Sequence, residues 1–322
     1  MNRSWHSEAQ LQQGNGATLD AWFAQSARTG FLHTKDNLQC AYATLVHSDP
    51  VDQIRPGIVI SSGRVECYLK YIEVIYDLYH AGFNVFVMDH RGQGLSQRCS
   101  PNPMHGHVDD FQEYVDDLLQ FVDDVVISTC PQPMLLCHSM GGAIGTIAVL
   151  QRPLLFQRLV LSAPMFGLKV PVPRWLAQMM MAIGLWVGRL SHRPMYFIGQ
   201  KDYAPDVFAN NRLMRSKLRY DRFRAVQQAY PKIQLGGVTY QWIRAANKAL
   251  ALIAEQAHHI ELPVLCISAQ SDQVVDNTIQ QQVVGSIPNA RWLSIDQAQH
   301  EVLFEQDHIR NEALDAIVAF LR

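Results

Sequence analysis

The stretch LLCHSMGGAIG, residues 135–145, joins an apolar run to a segment of small residues, with a serine at the junction. Residues 134–137 read as a short buried strand and 141–151 as a helix, so Ser139 stands on a strand–turn–helix elbow. A serine hydroxyl is a poor nucleophile at neutral pH and needs exposure, a general base and donors for an oxyanion. An elbow supplies the exposure, and small flanking residues let the turn tighten and the helix pack against the sheet, hence the pattern G-x-S-x-G. Here the pattern is filled by Cys137, Ser139 and Gly141, and Cys137, larger than glycine, is still small. A serine that opens a helix is otherwise a cap. The strand before it and the helix after it favour the nucleophile.

Such a serine calls for an acid and a histidine later in the chain, on loops after further strands. The apolar run 264–268 is followed by AQSDQVVD, which carries Asp272, and the run 291–295 by DQAQHE, which carries His300. His300 would take the Ser139 proton and return it to the leaving alcohol, with Asp272 fixing the imidazole tautomer. Asp276 and Asp296 are the competing acids, and Asp276 also suits the cap of a helix starting near Asn277. One oxyanion donor is expected from the N–H of Met140 and a second from Arg64, in the loop Ser61-Ser62-Gly63-Arg64 after the strand 57–60. His138, inside the elbow, is expected to pack or bond locally. The Gly-rich DHRGQGLS, residues 89–96, lacks the spacing of a dinucleotide or phosphate loop and reads as a structural turn.

Around the elbow, short apolar runs at 57–61, 84–88, 134–137, 159–162 and 264–268 alternate with helical patterns at 68–80, 111–127, 141–151 and 309–321. Runs of this kind are strands covered on both faces. With a hairpin at 31–46, they predict an α/β fold: a mostly parallel, doubly wound sheet carrying an inserted, mainly helical cap. The beat fails between 168 and 255, so the core is assigned to 1–167 and 256–322, with 1–28 as an N-terminal extension. That insertion holds fourteen Lys and Arg against four acidic residues, net +10, while the rest of the chain nets −12.

Over 322 residues the charge is only −2, which gives no global attraction to nucleic acid. Six scattered cysteines without a CxxC pair argue against zinc and against a disulfide framework, so no metal and no cofactor is expected. The N-terminus has no apolar run behind Arg3 and no segment is long enough to span a bilayer. A cytoplasmic protein is expected. Its oligomeric state is left open.

The segment GRVECYLKYIEVIYDLYHAGFNVFVMDHRGQGLS, with HSMGGAI, SAPMFG, GGVTYQW, VVDN and QHEVLFE, resembles the α/β-hydrolase superfamily from about residue 55 onward. Within it the chain is similar to the monoacylglycerol lipase and L2-type lysophospholipase branch. The resemblance matches Ser139, Asp272 and His300 to the triad and Arg64 and Met140 to the oxyanion hole. It departs from the branch at Ser62-Gly63, where His-Gly is common, and at Cys137. It implies a serine esterase acting on single-acyl-chain lipids: a lysophospholipase, with transacylation as a variant. The alternatives are a monoacylglycerol lipase or general carboxylesterase, and a non-catalytic lipid-binding homologue. The apolar, arginine-bracketed segment 173–190, with Trp175 and Trp186, reads either as a packed cap helix or as an interfacial one. The basic cluster 212–224, with Arg215, Lys217 and Arg219, is assigned to lipid headgroups or to an anionic membrane surface, on the inner face of the cytoplasmic membrane.

Overall fold

Eight strands line up in one sheet in the order β1-β2-β4-β3-β5-β6-β7-β8: β1 Arg28–His33, β2 Gln39–Leu45, β3 Gly57–Ser61, β4 Asn84–Met88, β5 Met134–His138, β6 Leu159–Ser162, β7 Val264–Ala269 and β8 Ala290–Ile295. The computed structural model describes residues 4–48, 55–168, 174–191 and 193–322, and the side chains of 15, 174–178 and 191 lie outside that description. From β4 to β8 all pairings are parallel, and β2 joins β1 and β4 antiparallel. This is the doubly wound sheet expected from the sequence, with the expected hairpin at its edge.

The strands read as unbroken apolar runs because each feeds two cores. In β5, Leu135 and Cys137 enter one cluster and Met134 and Leu136 the other; in β4, Phe86 and Met88 oppose Val85 and Val87. Period-two side-chain alternation with burial on both faces demands this pattern. Nine helices are named here in chain order: α1 Gly16–Ser26, α2 Ile72–His80, α3 Gln112–Phe121, α4 Met140–Gln151, α5 Arg174–Ser191, α6 Lys217–Ala229, α7 Tyr240–Gln256, α8 Asn277–Ser286 and α9 Asp307–Leu321. Helices α3 and α4 cover one face with Tyr114, Leu118, Ile144 and Ile147, and α2 and α9 the other with Ile75, Leu78, Leu314 and Ile317. Trp5, Leu19 and Phe23 tie the N-terminal extension into that second core.

Between β6 and β7 lie α5, α6 and α7. Helix α7 packs on α4, and its Trp242, Ala245, Ala246, Ala249 and Ile253 join the same core cluster as Ile144 and Ile147. Pattern alone missed this because α4 is buried all round, so its partner α7 can be amphipathic and basic on its outer side. Helix α6 is held by Arg219, which is only 3% exposed. Its guanidinium grips both carboxylate oxygens of Glu73 at 2.8 and 2.9 Å, Asp307 at 2.8 Å and the Glu305 carbonyl at 2.6 Å. The assignment of Arg219 to a lipid surface is therefore wrong. A buried bidentate arginine stitches α6 to α2 and to the start of α9. Residues 89–96 form the expected structural turn: Asp89 accepts from the N–H groups of Tyr68 and Leu95 at 2.6 and 2.7 Å, and a Cβ on Gly94 would collide with its carboxylate.

Candidate active site

Ser139 is the residue between β5 and α4, with φ 52° and ψ −116°. An L-residue in that region carries roughly 1–3 kcal/mol of strain and persists only where its surroundings fix it. Its N–H donates to the Ser162 carbonyl at 3.1 Å, and its own carbonyl accepts from Gly142 and Met165 at 2.9 Å each. Close packing completes the constraint, since a Cβ on Gly141 would overlap the Ser61 carbonyl at the end of β3. The buried Cys137 sulfur lies against Gly145, where a Cβ would collide with it. The elbow therefore accepts a cysteine at its first position because α4 offers a glycine two turns in.

The Ser139 hydroxyl makes no cap bond to α4. It lies 2.9 Å from His300 Nε2, and His300 Nδ1 lies 2.7 Å from Asp272 Oδ2. An ionised Asp272 accepts from Nδ1–H, which leaves Nε2 to accept the serine proton. The other Asp272 oxygen accepts from the N–H groups of Val274 and Val275 at 2.7 and 3.1 Å. Burial pushes the Asp272 carboxyl upward, but the His300 bond and these two amides outweigh it and hold the group below its usual value. Of the competing acids, Asp276 caps α8 through Thr278 and Ile279, and Asp296 is exposed in a turn. The structure thus joins Ser139, His300 and Asp272.

Around His300 sits a charge network that the sequence did not suggest. Lys70 lies 2.7 Å from both Glu66 and Glu301, with its ammonium over the rings of Phe223 and Phe304. Glu66 also accepts from Tyr71 OH at 2.7 Å and from the Gly63 N–H at 2.5 Å. Burial raises the Glu66 carboxyl, but Lys70 and the hydrogen bonds prevail and bring it down to about 2. His138 packs beside His300, with ring centroids 5.0 Å apart, and its Nδ1 lies 3.0 Å from the Ser162 carbonyl. Burial lowers His138 to about 4, so it is neutral at physiological pH. The i,i+4 spacing of Glu66 and Lys70 was visible in sequence, but their convergence on Glu301, more than 200 residues away, was not.

Ser139 and His300 open on a cavity of about 410 Å³ that Arg64 and Met140 also line. Its apolar lining includes Met165, Leu168, Met214, Val238, Trp242 and Val275, and its polar lining Gln200, Tyr203, Arg224 and Gln227. Of the remaining expected contacts, Arg215 is half-buried, Lys217 is exposed and paired with Asp221, and Trp186 is 62% exposed on α5. The Trp175 side chain lies outside the described residues. None of Arg215, Lys217 and Trp186 lines the cavity.

Comparison with known proteins agrees with this architecture. A family model described as serine aminopeptidase, S33, matches residues 52–307. The chain is 33% identical to a probable lysophospholipase L2 of Haemophilus influenzae, over 93% of each chain. It is 37% identical to lysophospholipase L2 of Escherichia coli K12, over 82% of this chain and 79% of that one. Among solved structures, the monoglyceride lipase of Saccharomyces cerevisiae, a soluble variant with a substrate analogue, superposes with a TM-score of 0.72 at 18% identity, covering 92% and 95% of the two chains. The monoacylglycerol lipase of Paleococcus ferrophilus gives 0.66 at 19% identity, over 88% and 98%. By the family match, the relatives and the sheet they share, the chain belongs to the serine aminopeptidase S33 family of α/β-hydrolases and is a lysophospholipase-like ester hydrolase.

Proposed function

We propose that the chain is a serine esterase that removes the acyl chain from lysophospholipids through an acyl-enzyme. The reading is carried by the unbroken hydrogen-bonded chain Ser139–His300–Asp272, opening on a cavity lined by both apolar and polar side chains. Ser139 Oγ attacks the ester carbonyl carbon while its proton passes to His300 Nε2. The N–H groups of Met140 and Arg64 receive the oxyanion. As the tetrahedral intermediate collapses, the bond to the glycerol oxygen breaks and that oxygen takes the proton from His300. Water, deprotonated by His300, then attacks the acyl carbon and frees the fatty acid and Ser139. A lipid hydroxyl in place of water gives transacylation by the same steps.

Residues 168–255 serve as the cap, with α7 doubling as core. On α5, Met179, Ile183, Trp186 and Leu190 are exposed at helical spacing, beside the exposed Arg189. In this reading they contact the membrane surface from which a single-chain lipid enters. Among the described residues no helix is long and apolar enough to cross a membrane.

The test compares lysophosphatidylethanolamine, a monoacylglycerol and a short soluble ester, each with the wild type and with Ser139→Ala. The lysophospholipid is expected to be cleaved fastest, and Ser139→Ala to fall by roughly 10⁴-fold or more on all three. Preference for the monoacylglycerol or the soluble ester would replace this assignment with one of the alternatives. Substituting Ala at Trp186 and Ile183 is expected to weaken binding to anionic vesicles, and unchanged binding would remove the membrane contact.

A further inference from the structure

Three cations line the catalytic cavity, and they differ in what answers their charge. Lys70 is answered twice, by Glu66 and Glu301. Arg64 and Arg224 pair with no carboxylate among the described residues. Arg64 Nη1 donates to the Gly236 carbonyl at 3.0 Å, and Arg224 Nη1 to Gln227 Oε1 at 2.8 Å and to Tyr203 OH at 3.2 Å. Arg224 Nε is buried without an acceptor, and the guanidinium is stacked over the Tyr220 ring at 4.8 Å. Burial lowers Arg64 to about 10, with no carboxylate beside it to offset the desolvation. A buried donor or cation left this way costs free energy until an acceptor or anion arrives.

Both arginines line the same cavity as Ser139. Arg64 bonds Gly236, while Gln234 Nε2 donates to the Gln227 carbonyl at 2.9 Å and the Gln227 side chain accepts from Arg224. Through Gly236 on one side and Gln234 and Gln227 on the other, the two arginines are joined by a short run of hydrogen bonds. Arg64 also begins beside the nucleophile, because its neighbour Gly63 abuts the His138 ring of the elbow. Its side chain runs from there to the Gly236 carbonyl. The planar fork of a guanidinium suits two phosphate oxygens.

We propose that Arg64 and Arg224 form a subsite for the phosphodiester of a glycerophospholipid headgroup, inside the cavity that holds Ser139. This subsite, and not the exposed cluster around Lys217, sets the preference for lysophospholipids over uncharged esters. The proposal rests on the esterase reading above and names the part of the site that selects the substrate. Arg224 is a specificity residue in it, and Tyr203, Gln227 and Tyr220 position Arg224.

The experiment measures kcat/KM for lysophosphatidylethanolamine and for a monoacylglycerol of the same chain length, with wild type, Arg224→Gln and Arg224→Lys, each checked for fluorophosphonate labelling of Ser139. In Arg224→Gln the ratio of the two values is expected to fall roughly 10- to 100-fold, chiefly through KM of the lysophospholipid, and Arg224→Lys to recover part of it. Glycerophosphoethanolamine is expected to inhibit the wild type more strongly than Arg224→Gln, and more strongly than inorganic phosphate does. An unchanged ratio in a fully labelled Arg224→Gln would overturn the subsite while leaving the esterase reading standing. Inhibition by the two phosphates equal in both proteins would overturn it too. A wild type that labels on Ser139 but does not cleave the lysophospholipid would overturn the lysophospholipase reading and the subsite together.

Discussion

Ser139 and Ser216 each stand just before a helix, and the two serines do opposite things. Ser216, before α6, has φ −75° and ψ 106°, accepts from the N–H of Arg219 and donates to Glu8 at 2.6 Å. Ser139, before α4, has a positive φ, makes no cap bond and turns its hydroxyl to His300. Residue type and helix position are the same, and the backbone angle decides between a cap and a nucleophile. Small residues are packed beneath Ser139, Gly141 against Ser61 and Gly145 against Cys137, and let the tight turn form there, whereas Ser216 keeps an extended backbone. The difference teaches that the signal for a reactive serine lies in its neighbours.

Substitution breaks the comparison most sharply at the serines themselves. Ser139→Ala is expected to abolish turnover, a loss of roughly 10⁴-fold or more, with an unchanged melting temperature. Ser216→Ala should keep activity and lose about 1 kcal/mol in denaturant unfolding. Between these extremes, Asp272→Asn is expected to lower kcat by roughly 10³- to 10⁴-fold through the wrong imidazole tautomer, while Asp276→Asn, at a helix cap, leaves kcat within about twofold. A large kinetic effect at Asp276 would transfer the acid's role.

The same contrast runs through the cations of α6. Truncating Arg219 to Ala leaves Glu73 buried without its bidentate partner and is expected to cost about 3–5 kcal/mol. Lys217→Ala, two residues earlier on an exposed pair with Asp221, should stay within about 0.5 kcal/mol. At the elbow, Gly145→Ala is expected to destabilise by about 1–3 kcal/mol through its clash with Cys137, and adding Cys137→Gly should restore most of that. Cys137→Gly alone should keep activity, since the sulfur fills space and touches no reacting atom.

Two buried carboxyls extend the contrast to pH. Glu66, held near 2 in the folded state against an ordinary 4.5, contributes stability that is complete above about 4.5 and lost as pH falls toward 2. Asp89 runs the other way, because burial raises it to about 7 from 3.8, so stability declines as pH rises through that window. Thermal melts across pH 2–8 with Glu66→Gln and Asp89→Asn separate the two slopes. An unchanged acid limb in Glu66→Gln would assign that limb to other carboxylates.

Much of this was legible in sequence where the backbone leaves few options. Strands buried on both faces must read as apolar runs, so β3 to β7 were located nearly to the residue. Asp272 and His300 were found because loops after later strands converge on the elbow. The charges of α6 were not legible, because a helix with basic residues on several sides looks the same whether a given arginine meets water or a buried glutamate. Arg219 met Glu73, nearly 150 residues away, and Lys70 met Glu301, over 200 residues away. Such pairings depend on tertiary placement and leave no periodicity to read. Helix α7 likewise lies within the basic insertion by composition, while its small and apolar face completes the packing of α4.

The direct test of the central claim is to quench the enzyme during turnover of lysophosphatidylethanolamine and to map adducts by peptide mass spectrometry. The account predicts one fatty-acyl increment, on the peptide carrying Ser139, absent in Ser139→Ala. Turnover with the acyl group on another residue, or undiminished turnover in Ser139→Ala, would contradict it.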